Sequence, residues 1–401
     1  MRRTWRTGAV VLASAVGLVV GGAAGFLAQG EPLASLPSET AGTPPPAPRT
    51  HPLVPDTVLA WTPGGLPPGF AAKVERLPAV RHSVAVVSGI LWMNRSVEAD
   101  GTPVDRPGGG LAIPIEVAGA NLARYAPFLS PADRVHLPDL ASGQGLLGRT
   151  SEKLRRVGAG GFLSFMGSRT IRVAGVVPDA AIGANELFVS GRTAASLGLA
   201  TRRYLLIDPV HGVSRARLDA AIRGALPSAM PLRIRGPGET PYFRQGDAVL
   251  PQVRLKELFG EFAAAPIGGY LRMDPRWEAA HIATARVPLL GAVRCNRGIL
   301  PQLRGALREV EAEGLGHTVD PAEFGGCYSP RFLLRDPHAG LSHHAWGIAV
   351  DINVAANPFG RPPTQDHRLV AIFERWGFTW GGRFLIPDGM HFEFARFASG
   401  G

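Results

Sequence analysis

Two short stretches near the end of the 401-residue chain concentrate the side chains best suited to holding a metal ion. They are S-H-H-A-W-G-I-A-V-D, from Ser342 to Asp351, and D-G-M-H-F-E, from Asp388 to Glu393. Imidazole nitrogen and carboxylate oxygen are donors of a tetrahedral zinc shell, and a catalytic site keeps three protein ligands so that water can take the remaining place. Two imidazoles and one carboxylate around a divalent ion leave one net positive charge. That charge draws the pKa of a bound water toward neutrality and polarises a peptide carbonyl. A lone histidine is more often a surface or satisfied core residue than a ligand. Six of the eleven histidines nevertheless fall after residue 310, and two of these sit in separate motifs with matching carboxylates.

The elements that position these groups follow from their spacing. Six residues separate His344 from Asp351, too many for neighbouring ligands in one strand and a poor match to one helical turn. The spacing predicts His344 near the end of one segment, Gly347 in a bend and Asp351 on a strand I-A-V-D-I-N. Alternation then places Ala349 and Asp351 on one face and Ile348, Val350 and Ile352 on the other, a half-buried strand with its carboxylate toward a cleft. In an extended segment His343 points away from His344, as a rim or structural residue. His338 and His367 belong to solvated loops. Asp388 and His391 lie on a second segment, close enough in sequence for a base and a ligand to share one water. Ser342 lacks the G-x-S-x-G elbow of a nucleophile and is expected to steady the His344 loop by a hydrogen bond. A helix from about Gly298 to Gly314, with Leu300, Leu303, Leu307 and Val310 on one face, packs against the sheet.

Ser342, His344, Gly347, Ala349 and Asp351 fit the pattern S-x-H-x-x-G-x-A-x-D, and Asp388 with His391 fits carboxylate-x-x-His. On these residues the C-terminal part resembles the VanY-type D-alanyl-D-alanine carboxypeptidase family of bacterial cell-wall metallopeptidases. The resemblance begins near Pro251 and includes V-R-L-K-E-L-F-G-E-F, D-P-R-W-E-A-A-H-I and V-P-L-L-G-A-V-R-C. It implies that His344, Asp351 and His391 bind one Zn2+ ion and that Asp388 is the general base. Cobalt or manganese are substitutes the same donors would accept in vitro. In G-G-C-Y-S-P-R-F, Arg331 matches an arginine that reaches the active site, where a guanidinium suits an oxyanion or a substrate carboxylate; Arg335 competes for that role. Trp346, Trp380 and Phe392, with G-F-x-W-G-G at Gly377–Gly382, read as packing that shields the metal. Glu393 either orients a ligand histidine or ends its strand at the surface.

The fold implied is α+β: a C-terminal domain with a small antiparallel sheet flanked by helices, preceded by a separate α+β domain. The function implied is a zinc-dependent peptidase acting on peptidoglycan stem peptides, of the D-alanyl-D-alanine carboxypeptidase type. An L-alanyl-D-glutamate endopeptidase shares the metal motif. A non-catalytic cell-wall binding or transport-associated adaptor is the competing class, against which the intact His344, Asp351, Asp388 and His391 argue.

Length and composition set the frame. Residues 1–28 carry Arg2, Arg3 and Arg6 ahead of an uncharged run from Gly8 to Ala28, long enough for a membrane anchor with its N-terminus in the cytoplasm. Ala23-Ala24-Gly25 offers a cleavage site, so secretion is the alternative. Residues 29–55 read as a Pro-rich spacer, 56–250 as an α+β extracytoplasmic domain, and 251–401 as the peptidase domain. Either way the peptidase lies outside the cytoplasmic membrane, with membrane contact through the anchor. The net charge is +10, but only three of the forty-two basic residues are lysines (Lys73, Lys153, Lys256) and the arginines are scattered. Without a basic cluster interleaved with aromatics, no nucleic-acid partner is expected; attraction to a polyanionic wall is.

Cys295 and Cys327 are the chain's two cysteines, and by themselves fit either one disulfide or two buried thiols. The resemblance at V-R-C and G-G-C-Y favours the bridge. In the middle region, apolar runs such as V-A-V-V-S-G-I-L-W and R-T-I-R-V-A-G-V-V-P alternate with turns, and helices are predicted over about Thr193–Leu199 and Ser214–Leu226. The succession I-E-V-A-G-A-N, L-G-R-T, I-R-V-A-G-V-V-P and N-E-L-F-V-S-G-R-T-A-A-S-L-G-L resembles the periplasmic domain of MacB- or FtsX-type permeases. It implies a binding or regulatory module whose protein partner the sequence does not name.

Overall fold

A computed structural model describes residues 56–227 and 230–398. The expected anchor and Pro-rich spacer lie outside the described residues. No helix among the described residues is long and apolar enough to cross a membrane.

The first part is built on one long strand. Nine strands precede residue 250: β1 (Val58–Trp61), β2 (Val80–Val97), β3 (Ile113–Ala120), β4 (Gly145–Gly148), β5 (Phe162–Phe165), β6 (Arg169–Val177), β7 (Leu187–Ser190), β8 (Arg202–Pro209) and β9 (Arg233–Arg235). The eighteen residues of β2 serve three partners. Val86–Met93 pair with β3, while the opposite edge pairs first with β8 and then, from Met93 onward and through a bulge between Met93 and Arg95, with β5. The order β3-β7-β4-β6-β5-β2, together with the β2–β3 pairing, closes six strands into a ring. Alternation fills its inner face: Ile115 and Val117, Leu147, Leu163 and Phe165, Ile171 and Val173, Leu187 and Val189 form one buried cluster with Met93. The opposite faces of β3, β4 and β7 pack Ala118, Leu146 and Phe188 against Tyr125, Phe128 and Leu140.

The helix predicted at 193–199 runs instead from Gly191 to Ser196. Ser190 caps it by accepting the Thr193 amide at 3.1 Å, and Gly198 in the left-handed region (φ +85°) ends it. The helix Arg215–Ala225 is capped by Ser214 and buries Leu218 and Ile222, as its period requires.

The second part holds two hairpins and a three-stranded sheet. The hairpins are β10 (Ala264–Ile267) with β11 (Tyr270–Met273), and β12 (Ile282–Val287) with β13 (Gly291–Asn296). The sheet joins β14 (Ala349–Asp351), β15 (Phe378–Trp380) and β16 (His391–Phe394), with β16 central and antiparallel to both neighbours. The helix Leu300–Ala312 buries Leu303, Ala306, Leu307 and Val310; the helix His367–Arg375 buries Leu369, Val370, Ile372 and Phe373. His367 therefore opens a helix rather than lying in a loop. These residues, with Trp346, Phe392 and Phe394, form a single core.

Both parts belong to one compact unit. Ala112 and Ala264 exchange backbone hydrogen bonds of 2.9 and 2.8 Å. Beside them Lys256 and Arg155 meet Glu186 and Glu261, with Lys256, Arg155 and Glu186 wholly out of solvent. No periodicity singled out this cluster. One signal was present: Lys256 lies three residues from Val253 and Phe259, on the buried face of the helix Gln252–Phe259.

Candidate metal centre

His344 does not lie on a strand. It sits in a 3-10 turn, His343–Ala345, whose start is capped by Ser342: the Ser342 Oγ accepts the His344 amide at 3.3 Å. The chain then reverses at Gly347, with φ +67° and no room for a side chain, since a Cβ there would stand 2.8 Å from the Asn296 nitrogen. Past this turn the chain enters β14. Antiparallel register sets Asp351 directly opposite His391 and Ala349 opposite Glu393. A turn thus delivers one imidazole, while two paired strands deliver the carboxylate and the second imidazole.

The expected half-burial of β14 is corrected by the structure. Ile348, Ala349, Val350 and Ile352 are all fully buried and Asp351 is nearly so: Ile348, Val350 and Ile352 join the core around Trp346 and Phe392, and Gly326 bridges to Asp351. For His343 the rim alternative is corrected and the structural one stands. In a 3-10 turn it does not point away to a rim; it is buried, with Nδ1 2.9 Å from Glu393 Oε2.

Three donor atoms converge. His344 Nε2 lies 3.2 Å from Asp351 Oδ1 and 3.3 Å from His391 Nδ1, and His391 Nδ1 lies 3.0 Å from Asp351 Oδ1. Among the described residues, His344, Asp351 and His391 are the group whose ligand atoms gather within 4.8 Å. The outward nitrogens of both rings are committed. His344 Nδ1 donates to the Cys327 carbonyl at 2.8 Å, and His391 Nε2 donates to Glu393 Oε2 at 3.2 Å. These bonds select the tautomers in which His344 Nε2 and His391 Nδ1 keep lone pairs facing the Asp351 carboxylate. Three lone pairs aimed at one point repel unless a cation sits among them, so the donor set fits a divalent ion with imidazole and carboxylate preference.

The electrostatics agree with that fit. Burial holds His344 below its ordinary value, which favours the neutral ligand form. Burial alone would also lower His391, but Asp351 and Glu393 outweigh it and hold the ring at about 10. Asp351 is pulled well below the usual carboxylate range, against its burial, by His344 and then His391. Without a cation, a proton on His391 would offset the Asp351 charge; a divalent ion held by the three donors would take that place, with His391 Nδ1 as a neutral donor. Glu393 is buried yet held low by His343 and His391, so it orients a ring nitrogen and does not end its strand at the surface.

Asp388 lies on the loop leading into β16, where its amide donates to Gly381 O at 2.9 Å and its carbonyl accepts the His391 amide at 3.1 Å. Its Oδ1 is buried with no hydrogen-bond partner. Burial raises its pKa, reinforced by Asp351 and opposed by His391 and Arg331. Arg331 is half-buried and reaches to 3.9 Å from Asp351 Oδ2. Arg335 is not brought to this cluster. Left-handed backbone at Leu334 and Arg335 (φ +53° and +56°) turns the chain outward, and the Arg335 guanidinium lies over the Tyr270 ring, 5.7 Å from its centroid.

The aromatic residues pack. Trp346 is fully buried against Phe262, at 4.7 Å between centroids, and Phe392 lies 4.6 Å from Phe373. Trp380 Nε1 donates to Gly389 O at 2.8 Å, tying β15 to the loop between Asp388 and His391. Cys295 and Cys327 form a disulfide. The Cys327 carbonyl is a functional group that side-chain patterns did not announce.

Comparisons with known proteins bear on this region. The sequence profile of the D-alanyl-D-alanine carboxypeptidase family matches residues 335–394, a span that includes His344, Asp351, Asp388 and His391. No curated protein matches the chain. Among solved structures, the chain is similar to the periplasmic region of MacB from Actinobacillus actinomycetemcomitans, at 13% identity over 45% of this chain and 88% of that chain, with a TM-score of 0.32. It is also similar to the extracellular domain of the noncanonic ABC-type transporter YknZ from Gram-positive bacteria, at 16% identity over 41% of this chain and 88% of that chain, with a TM-score of 0.27.

Proposed function

We propose that this protein is a zinc-dependent peptidase that hydrolyses peptidoglycan stem peptides, with release of a terminal D-alanine as its reaction. The observation that carries the proposal is the convergence of the His344, Asp351 and His391 donors beside Asp388, whose Oδ1 is buried without a hydrogen-bond partner. The family match over 335–394 supplies the substrate class.

A divalent ion bound by the three donors supplies an acidified water and a polarised scissile carbonyl. The residues of the chain do the rest. Asp388 Oδ1, raised by burial and free of hydrogen bonds, accepts the proton of the attacking water and returns it to the leaving amine. Arg331 stands on the Asp351 side and offers its guanidinium to the developing oxyanion or to the substrate's terminal carboxylate. Glu393 and the Cys327 carbonyl keep the two imidazoles in ligand tautomers.

The substrate places the described residues outside the cytoplasmic membrane, and the apolar run Gly8–Ala28 behind three arginines supports a single-pass anchor. Residues 56–250 serve as a binding or regulatory module joined to the peptidase by the buried ion cluster. The deciding experiment gives the full chain a cell-wall pentapeptide and cross-linked muropeptides, with and without chelator, and identifies products by mass. Chelator-sensitive loss of one D-alanine is expected. Cleavage only at an internal bond would move the protein to the endopeptidase class, and intact substrates with a metal-loaded protein would refute hydrolysis altogether.

A further inference from the structure

We infer that the Cys295–Cys327 disulfide is a positioning element of the metal centre, setting how tightly His344 holds a divalent ion. The inference rests on the metal reading given above and deepens it.

The three ligands are not secured in the same way. Asp351 and His391 face each other across a strand ladder, so backbone register places them. His344 sits in a three-residue 3-10 turn with no ladder of its own. What holds this turn comes from behind it. The His344 ring is fixed by the Cys327 carbonyl at 2.8 Å, the bond that commits Nδ1 and leaves Nε2 for the ion. The main-chain carbonyl of His344 accepts the Ser329 amide at 2.9 Å, two residues along the same segment. At the end of the turn, the Asn296 side chain donates to Trp346 O at 3.0 Å and the Asn296 amide donates to Gly347 O at 2.8 Å. Residues 327–329 thus hold His344, at the start of the turn, while residue 296 holds Trp346 and Gly347, at its end.

Cys295 and Cys327 join those two grips covalently, with their Cα atoms 5.4 Å apart. Residue 327 otherwise belongs to a segment of bends and isolated bridges, in which Gly326 meets Asp351 and the Tyr328 amide reaches Arg294 O. Without the covalent link, a carbonyl that must hold its position to orient an imidazole would depend on these few bonds. Both sulfurs are buried, Cys295 wholly and Cys327 nearly so. The bridge therefore acts on its immediate surroundings, and these surroundings are the His344–Gly347 turn. Groups that orient a ligand histidine typically govern metal affinity by about 10–100-fold.

The test compares divalent-ion affinity, read by competition with a chromophoric chelator at a temperature where every apo protein is folded. It uses the full wild-type chain, the Cys295→Ala/Cys327→Ala variant, the Asn296→Ala variant, and wild type reduced under native conditions until two thiols are counted. Cobalt absorption spectra report the ligand geometry in parallel. About tenfold or greater weakening of affinity with an altered cobalt spectrum is expected for the double variant and the reduced protein, and a smaller weakening for Asn296→Ala. Should the double variant fail to fold, the reduced protein and Asn296→Ala carry the comparison. Unchanged affinity and spectrum in a folded protein lacking the bridge would overturn the inference while leaving the metal reading intact. A wild-type chain that takes up no divalent ion would overturn both.

Discussion

Glu393 accepts the Nε2–H of His391 at 3.2 Å from two positions farther along the same strand, so one strand carries both one of the three converging donors and the group that orients it. The same carboxylate lies 2.9 Å from His343 Nδ1. Glu393→Gln keeps the shape and removes the charge that commits Nε2. Divalent-ion affinity should fall about 10–100-fold, measured by chelator competition. An affinity equal to wild type would mean that strand register alone orients His391.

Asp388 separates chemistry from binding. Asp388→Asn should lower the hydrolysis rate by about 10²–10⁴-fold while ion content, measured by elemental analysis of the purified protein, stays at the wild-type level. A parallel loss of the ion would recast Asp388 as a ligand.

Gly347 carries the reversal between the turn and β14. Gly347→Ala places a Cβ in the left-handed region at about 1–2 kcal/mol and drives it against the Asn296 nitrogen, 2.8 Å away. The urea midpoint should fall, and ion affinity with it, because His344 and Asp351 flank this residue. A variant with wild-type stability would show that the turn has room the structure denies it.

Lys256 stands 2.9 Å from both Glu186 oxygens with neither side chain exposed. Lys256→Met leaves that carboxylate short of one cation and should cost about 3–5 kcal/mol in urea unfolding. Loss of less than about 1 kcal/mol would place the junction's strength in its apolar contacts.

Glu261, in the same cluster, gives the junction a pH dependence. Burial would raise its carboxyl, but Arg155 and then Lys256 hold it below the ordinary 4.5. A carboxyl lowered on folding contributes stability that is complete above the unfolded value and is lost as pH falls through the folded one. Urea midpoints taken from neutral pH to about pH 3 should therefore decline below about pH 4.5, and Glu261→Gln should flatten that decline. Superimposable profiles would remove Glu261 from the acid response.

The three side chains whose donor atoms converge were legible in the sequence because coordination chemistry admits few residue types, and two motifs supplied them at spacings a turn and a strand can meet. The Ser342 cap, the Gly347 bend and the helix 300–312 were legible for a similar reason: each depends on side chains within a few positions of one another. What surrounds the donors was decided elsewhere. Of the two readings of His343, rim or structural, the rim one fails because its direction depends on a 3-10 turn where an extended segment was assumed. The Cys327 carbonyl has no side-chain signature at all. The six-strand ring depends on where β2 changes partners, and the Lys256–Glu186 contact joins residues 70 positions apart. Local spacing names the atoms able to bind an ion; only the packing of distant segments determines which backbone carbonyl, buried carboxylate and covalent bridge hold those atoms in place.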